Sequence, residues 1–175
     1  MPITRLNHAV LFVRDVEVAA AFYRSAFGFI ELDRPAGMRA AFMRSPSGTN
    51  HHDLGLFEVG AQASRPPRGS VGLYHLAWEV DTIEELARMA DVLGEREALT
   101  GASDHGVSKS LYGRDPDGNE FEVMWAVPPD AWGGFASQAA VMPLDLDAEL
   151  RRWGAPGAAG TGATDSSTDR ATTGS

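Results

Sequence analysis

A tight turn leads directly into an alternating strand in the stretch Asp115-Pro116-Asp117-Gly118-Asn119-Glu120-Phe121-Glu122-Val123-Met124-Trp125. The first five residues are types that favour turns, because they supply special backbone angles or side chains that bond to the local backbone. Side chains alternate between the two faces of a strand, so Phe121, Val123 and Trp125 share an apolar face. Glu122 falls on the other face. This stretch therefore predicts a strand that packs against a core and presents a carboxylate on its opposite side.

A similar pattern of turn residues occurs 70 residues earlier, where Arg44-Ser45-Pro46-Ser47-Gly48 matches Arg114-Asp115-Pro116-Asp117-Gly118. Two histidines, His8 and His75, lie 67 residues apart, and each opens a predicted strand. Matching turns and strands at nearly the same spacing indicate an internal duplication. We therefore predict an α+β fold built from two βαβββ modules, at about residues 3–60 and 72–127, whose curved sheets enclose a shared cleft.

Hydrophobic periodicity predicts the helices and strands of each module. Asp15 is suited to cap the first helix, and Gly28 is suited to end it. The second helix is predicted at about residues 82–93, with Gly94 after it. Predicted strands lie near residues 7–13, 29–34, 38–44 and 53–59 in the first module and near residues 74–80, 97–100, 107–113 and 120–126 in the second.

Two segments follow the modules. Residues 128–153 are predicted to form a loop and then a short amphipathic helix at residues 144–153. Residues 154–175 consist mostly of Gly, Ala, Ser, Thr and Asp. Such a segment has too little apolar surface to offset its ordering entropy, so we predict a disordered tail.

The composition narrows the classes of function. A net charge of −9 over 175 residues disfavours binding to nucleic acid or to an anionic membrane surface. The lack of cysteine excludes disulfides, iron–sulfur clusters and zinc sites built from thiolates. The apolar runs are too short for a signal peptide or a membrane span, so the cytoplasm is the expected location.

Two histidines and a glutamate are the candidate metal ligands. Alternation places His75 and Glu122 on the more polar faces of their strands, whereas both faces of the strand at His8 are apolar. Two neutral imidazoles and one carboxylate suit a divalent ion and leave about three positions of an octahedron open. For any one of these residues alone, a satisfied core histidine or an edge carboxylate is the favoured interpretation. Their matching positions in a duplicated frame favour a metal site.

Three further residues, His52, His105 and Tyr112, are candidates for proton transfer or substrate binding. His51 fits a solvated loop, whereas His52 shares the parity of Leu54 and is a candidate acid or base near the metal. His105 is either a turn residue or a proton-transfer group, because histidine titrates near neutral pH. The hydroxyl of Tyr112 either hydrogen-bonds a ligand of the metal or packs in the core.

Four segments of the chain resemble the vicinal oxygen chelate superfamily, which includes glyoxalases, bleomycin-resistance proteins, fosfomycin-resistance enzymes and extradiol dioxygenases. They are Asn7-His8-Ala9-Val10-Leu11-Phe12-Val13-Arg14-Asp15, Ala21-Phe22-Tyr23 through Phe27-Gly28-Phe29, Tyr74-His75-Leu76-Ala77-Trp78-Glu79-Val80 and Asp115-Pro116-Asp117-Gly118-Asn119-Glu120-Phe121-Glu122-Val123. The resemblance covers residues 4–126 and implies paired βαβββ modules with a divalent metal. It implies that His8, His75 and Glu122 are the protein ligands of that metal.

Within that superfamily the chain is most similar to the catechol 2,3-dioxygenase branch, through His51-His52-Asp53-Leu54-Gly55-Leu56, Asp104-His105-Gly106-Val107-Ser108 and Tyr112. The likeness implies a homodimer that uses Fe(II), or alternatively Mn(II), to react a small aromatic diol with dioxygen. It also implies that His52 or His105 handles the proton of the diol and that Tyr112 orients it. The chain departs from this branch in three ways. It has two modules rather than four, it has Lys109 in place of a second histidine, and it has Glu58 near the position where glyoxalase I supplies a fourth protein ligand.

Two other functions remain open from the sequence. A glyoxalase-like isomerase or epimerase would use Ni, Co or Zn and would need Glu58 as a fourth protein ligand. A resistance-type protein would sequester a drug in an apolar cleft without metal, and its three candidate ligands would lie apart or point elsewhere. The discriminating observation is whether His8, His75 and Glu122 converge on one point while Glu58 does not.

Overall fold

Two four-stranded sheets, each packed against one long helix, make up the fold. The computed structural model describes residues 2–67 and 69–155. The first unit contains β1 (Ala9–Val13), α1 (Val16–Phe27), β2 (Ile30–Glu31), β3 (Ala40–Arg44) and β4 (Leu54–Glu58). The second contains β5 (His75–Val80), α2 (Ile83–Glu95), β6 (Leu99–Asp104), β7 (Ser108–Arg114) and β8 (Glu120–Ala126). The α+β prediction with a repeated βαβββ order is confirmed.

The two sheets have the same topology. Their strand orders are β1-β4-β3-β2 and β5-β8-β7-β6, and in each sheet the first strand pairs in parallel with the last. The other neighbours are antiparallel. The strands that carry or follow the two predicted histidine ligands, β5 and β1, are therefore edge strands of different sheets. We call the face of each sheet opposite its helix the open face.

Local signals explain where the helices begin and end. The carboxylate of Asp15 accepts hydrogen bonds from two backbone N–H groups in the first turn of α1, and Gly28 ends that helix in a left-handed conformation, with φ of 70°. Thr82 caps α2 through its hydroxyl. The prediction that α2 stops before Gly94 is wrong, because the helix runs through it to Glu95.

Two strand predictions are also wrong in their extent. The strand expected near residues 29–34 is only two residues long, at Ile30–Glu31. The strand expected near residues 97–100 begins at Leu99 and continues to Asp104. Its sequence, with Gly101 and Ser103, has weak intrinsic strand propensity. Pairing with β7, which is interrupted only by a register shift between Leu99 and Gly101, decides its extent instead.

Two buried clusters form the core, one behind each sheet. Trp78 on β5 and Phe22 and Phe27 on α1 pack against both clusters and so join the two units. The turn at residues 115–119 adds polar contacts across this junction. Tyr23 donates a hydrogen bond to Asp115, and Arg14 forms a salt bridge with Asp117.

The segment after β8 crosses the second unit. It contains two short 3₁₀ turns, Pro129–Ala131 and Gly133–Ser137, and ends in α3 (Leu146–Trp153). The predicted short helix is thus present but begins two residues later than expected. Most of the predicted disordered tail, residues 156–175, lies outside the described residues. Within the part of the chain that the structure describes, every helix is too short or too polar to span a membrane.

Candidate metal centre

His75 and Glu122 meet on the open face of the second sheet. The parallel pairing of β5 with β8 sets Ala77 beside Glu122, and the Nε2 atom of His75 lies 3.1 Å from a carboxylate oxygen of Glu122. Adjacent donor atoms on an octahedral ion with bonds of about 2.1 Å stand about 3.0 Å apart. The two side chains are therefore spaced as neighbouring ligands of one divalent ion would be.

The second ring nitrogen of His75, Nδ1, takes no part in this contact with Glu122. This atom is buried and lacks a hydrogen-bond partner among residues 2–67 and 69–155. A buried polar atom without a partner costs free energy. Among the described residues no hydrogen bond at Nδ1 therefore fixes the orientation of the ring, so a cation bound at Nε2 would not compete with one.

His8, the third predicted ligand, lies at the other sheet. It immediately precedes β1, is exposed, and its Nδ1 atom is 2.9 Å from the side-chain oxygen of Asn7. Within the described residues no group of three or more His, Asp or Glu side chains is placed to hold a metal ion. The single chain therefore brings together two of the three predicted ligands and leaves His8 apart from them.

Two more histidines, His51 and His52, lie near His8. The ring of His52 lies 4.6 Å from that of His8 and 5.2 Å from Phe42, while His51 is exposed. Because β4 begins only at Leu54, strand alternation does not reach His52, and the parity expected from the sequence does not describe its side chain. Partial burial lowers the pKa of His52, and the neighbouring His8 and His51 lower it further.

Tyr112 and His105 stand next to the His75–Glu122 pair. Tyr112 on β7 is the cross-strand partner of Glu122 on β8, and its ring centre is 6.0 Å from that of His75. Burial raises the pKa of Tyr112, and the charge of Glu122 adds to the rise. The Nε2 atom of His105 is 2.8 Å from the Tyr112 hydroxyl. The other nitrogen, Nδ1, is 2.8 Å from the backbone oxygen of Ala140, a residue that the sequence did not single out.

Glu58 does not share the open face of the first sheet. Its carboxylate lies 2.5 Å from the guanidinium of Arg39 and accepts a bond from the backbone of Val16, at the beginning of α1. On β4 the open face instead carries Gly55 and Phe57. Glu58 is therefore engaged with other partners and is not a ligand candidate in this structure.

Lys109, which stands where the catechol 2,3-dioxygenase branch has a second histidine, also points away from the open face. Its ammonium group lies 2.6 Å from Asp104 and 3.5 Å from Glu149 of α3, and the side chain is 4% exposed. This buried ion pair fastens the C-terminal segment to the second sheet. Lys109 is therefore a structural residue rather than part of the candidate site.

A family model described as the Glyoxalase/Bleomycin resistance protein/Dioxygenase superfamily matches residues 5–123. The chain belongs to this superfamily. The resemblance drawn from the four sequence segments is thereby confirmed.

The relatives of this chain include a named dioxygenase. Catechol-2,3-dioxygenase of Bacillus subtilis (strain 168) is 33% identical over 132 residues, which are 74% of this chain and 44% of that protein. Metapyrocatechase 2 of Cupriavidus necator is 29% identical over 136 residues, which are 78% of this chain and 36% of that protein. The chain thus spans less than half the length of these two relatives. A virulence protein of Salmonella typhimurium is 33% identical over 127 residues, 70% of this chain and 85% of its own length.

Solved structures of the superfamily share the fold across different named activities. A glyoxylase/bleomycin resistance protein/dioxygenase domain from Frankia sp. EAN1pec has a TM-score of 0.60 at 22% identity, covering 73% of this chain and 96% of its own. Lactoylglutathione lyase from Agrobacterium tumefaciens has a TM-score of 0.53 at 26% identity, covering 71% and 96%. The superfamily fold is therefore certain, whereas the reaction must be argued from the site.

Proposed function

We propose that this protein is a metal-dependent extradiol dioxygenase that opens the ring of a small aromatic diol, with Fe(II) as its cofactor and Mn(II) as the alternative. The observation that carries the proposal is the His75–Glu122 pair at ligand spacing, with the hydrogen-bonded pair Tyr112 and His105 beside it. The likeness to a catechol-2,3-dioxygenase supports the choice of reaction.

The proposed metal ligands are His8, His75 and Glu122. Their donor set, two neutral imidazoles and one carboxylate, is the one that suits non-haem Fe(II) with open positions. When bound, the ion would supply the path by which electrons pass from the chelated diol to dioxygen. The protein residues around it bind and orient the diol and manage its proton.

We propose that His8 comes from a second copy of the chain. His8 lies apart from the other two ligands, and the strand that follows it exposes apolar side chains on the same face, with Val10 51% and Phe12 72% exposed. Exposed apolar side chains that rim a site are typical of protein interfaces. A homodimer would cover them and bring His8 of one copy to His75 and Glu122 of the other.

Two groups are proposed to handle the diol. Tyr112 orients it through its hydroxyl, which lies beside Glu122. His105, hydrogen-bonded to that hydroxyl, accepts the proton of the diol by way of Tyr112. His52 is the second candidate acceptor, because its lowered pKa favours the neutral form and because it contacts His8.

The glyoxalase-like alternative would require Glu58 at the metal, and this residue is instead held by Arg39 and the beginning of α1. The drug-sequestering alternative would not require an imidazole and a carboxylate at ligand spacing. Both alternatives are therefore less well supported than the dioxygenase.

The test is to load the purified protein with Fe(II) without oxygen and then to add catechol and air. We expect oxygen uptake together with a yellow ring-cleavage product, and we expect neither from the Glu122→Ala variant. Iron binding without oxygen uptake across a panel of substituted catechols would contradict the proposal and would favour the isomerase.

A further inference from the structure

The C-terminal segment reaches the candidate site through His105. Residues 140–142, which we call the strap, lie along the end of β6, where Met142 and Asp104 exchange backbone hydrogen bonds of 2.8 and 2.9 Å. The Phe135 ring covers Gly106 so closely that a Cβ atom there would fall 2.3 Å from it. The strap therefore pairs with Asp104 on one side of His105, and Phe135 of the same C-terminal segment covers Gly106 on the other side.

A second set of contacts anchors the same region. The Asp104 carboxylate accepts hydrogen bonds from the backbone N–H of Gly106, at 2.7 Å, and from Lys109, at 2.6 Å. Lys109 also faces Glu149 on α3. Because Lys109 is buried among these carboxylates, the position of residues 104–106 is tied to the whole C-terminal segment.

The two neighbours of His105 decide which ring nitrogen carries the proton. The backbone oxygen of Ala140 can only accept a hydrogen bond, so the Nδ1 atom of His105 must be the donor in that 2.8 Å contact. In a neutral imidazole the other nitrogen then has a lone pair and no proton. The Nε2 atom of His105 consequently accepts its 2.8 Å bond from the hydroxyl of Tyr112.

We propose that the strap fixes His105 as the Nδ1–H tautomer and thereby makes Tyr112 a hydrogen-bond acceptor toward the substrate. The phenol has a single proton, and that proton is directed at His105. Its oxygen can offer only lone pairs to the space beside Glu122. The substrate atom that meets Tyr112 must therefore be a donor, namely a hydroxyl that still carries its proton, rather than a carbonyl or a phenolate oxygen.

This inference deepens the proposed function, and it can be tested without activity. In protein labelled with ¹⁵N at histidine, two-bond couplings show which ring nitrogen carries the proton, and the His105→Asn spectrum identifies the signals of His105. At mildly alkaline pH we expect the proton on Nδ1 in the wild type. Met142→Pro removes the backbone donor that holds the strap to Asp104 and should produce a tautomer mixture, whereas the matched control Met142→Ala should not. A proton on Nε2, or an unchanged tautomer in Met142→Pro, would overturn the proposal.

A kinetic comparison tests the consequence for the substrate. Asn places an amide N–H near the Nδ1 position and cannot reach Tyr112, whereas Gln can offer its oxygen to that hydroxyl. Both variants should lower kcat, because neither amide titrates. We expect the KM for catechol to rise about tenfold in His105→Asn and in Tyr112→Phe, the size of one lost hydrogen bond, with no further rise in the double variant. The KM of His105→Gln for catechol should stay within about twofold of the wild-type value.

Equal KM values for the Asn and Gln variants would overturn the proposed direction of the hydrogen bond, since a merely structural histidine would be damaged equally by both. A different outcome is expected if the proposed dioxygenase function is wrong. In that case no catechol would be consumed by the wild type, while the tautomer would still be Nδ1–H if the strap acts as proposed.

Discussion

Glu122 illustrates how a single side chain is positioned by two independent rules. Strand alternation puts it on the face opposite Phe121 and Val123, which are buried in the core. Parallel pairing with β5 then brings its carboxylate to the Nε2 atom of His75. Glu120 lies on the same face of the same strand but pairs with Arg114 at the sheet's end. The two glutamates therefore differ in their partners rather than in their chemistry.

Glu122→Gln is expected to lower the affinity for Fe(II) or Mn(II) by at least about a hundredfold, because an amide replaces the one anionic ligand. Equilibrium dialysis under nitrogen measures this directly. Glu120→Gln is the matched control and should keep the wild-type affinity. Native metal stoichiometry in the Glu122 variant would exclude this residue as a ligand.

Among the elements, the turn at residues 115–119 does more than reverse the chain. The carboxylate of Asp115 accepts bonds from the backbone N–H groups of Asp117 and Asn119 and from the side chain of Asn119. It also accepts the hydroxyl of Tyr23 from α1. The turn thus closes on itself and joins the two units. Burial nevertheless raises the pKa of Asp115, since these hydrogen bonds do not fully replace water.

This raised pKa has a consequence for stability. A carboxyl whose pKa is higher in the folded state binds more protons when folded, so its contribution is complete below the unfolded value and is lost as the pH rises through the folded one. Relative to Asp115→Asn, which does not titrate there, the wild type should lose free energy of unfolding as the pH rises from about 3 to values above the ordinary aspartate pKa of about 3.9. Urea denaturation over that range measures the difference.

Tyr23→Phe offers a second check on the same element. It removes a hydrogen bond that stabilises the charged carboxylate, so the pKa of Asp115 should rise further. The loss of free energy of unfolding with rising pH should therefore extend to higher pH. A difference between wild type and Asp115→Asn that is constant, or that grows in favour of the wild type with rising pH, would contradict the assignment.

At the scale of the whole molecule, the two halves of the proposed site lie on different sheets. The units join through Trp78, Phe22 and Phe27, which lie on the helix side of the sheets. The open faces therefore do not meet through this core, and His8 stays apart from the other ligands. A symmetric dimer would create two equal sites, each with ligands from both copies.

Mixing two inactive variants tests this arrangement. In a heterodimer of His8→Ala with Glu122→Ala, one site would carry both defects and the other would carry neither. Random mixing should therefore restore about a quarter of the wild-type sites, read as bound metal or as oxygen uptake. Each variant alone should remain inactive. If mixing restores nothing although the chains exchange, the site lies within one copy.

The repeated frame and the placement of His75 and Glu122 on the more polar faces of their strands were predictable from the sequence. Turn residues, helix caps and alternation are local properties, and the duplication made each signal appear twice. The same local rules failed at His52, which precedes its strand, and at Gly94, where α2 continues to Glu95. They also could not foresee the contact between His105 and Ala140, because these residues are 35 positions apart and no pattern links them.

The sequence by itself determined the α+β class, the order of elements and the face on which Glu122 lies, since these follow from the periodicity of side chains along the backbone. Only the tertiary structure decided which of those side chains meet. It set His75 at Glu122 and His105 at Tyr112, turned Glu58 toward Arg39, and kept His8 on a separate sheet. The physical reason is that distances between strands depend on how sheets pair and pack, and packing is a property of the folded chain as a whole.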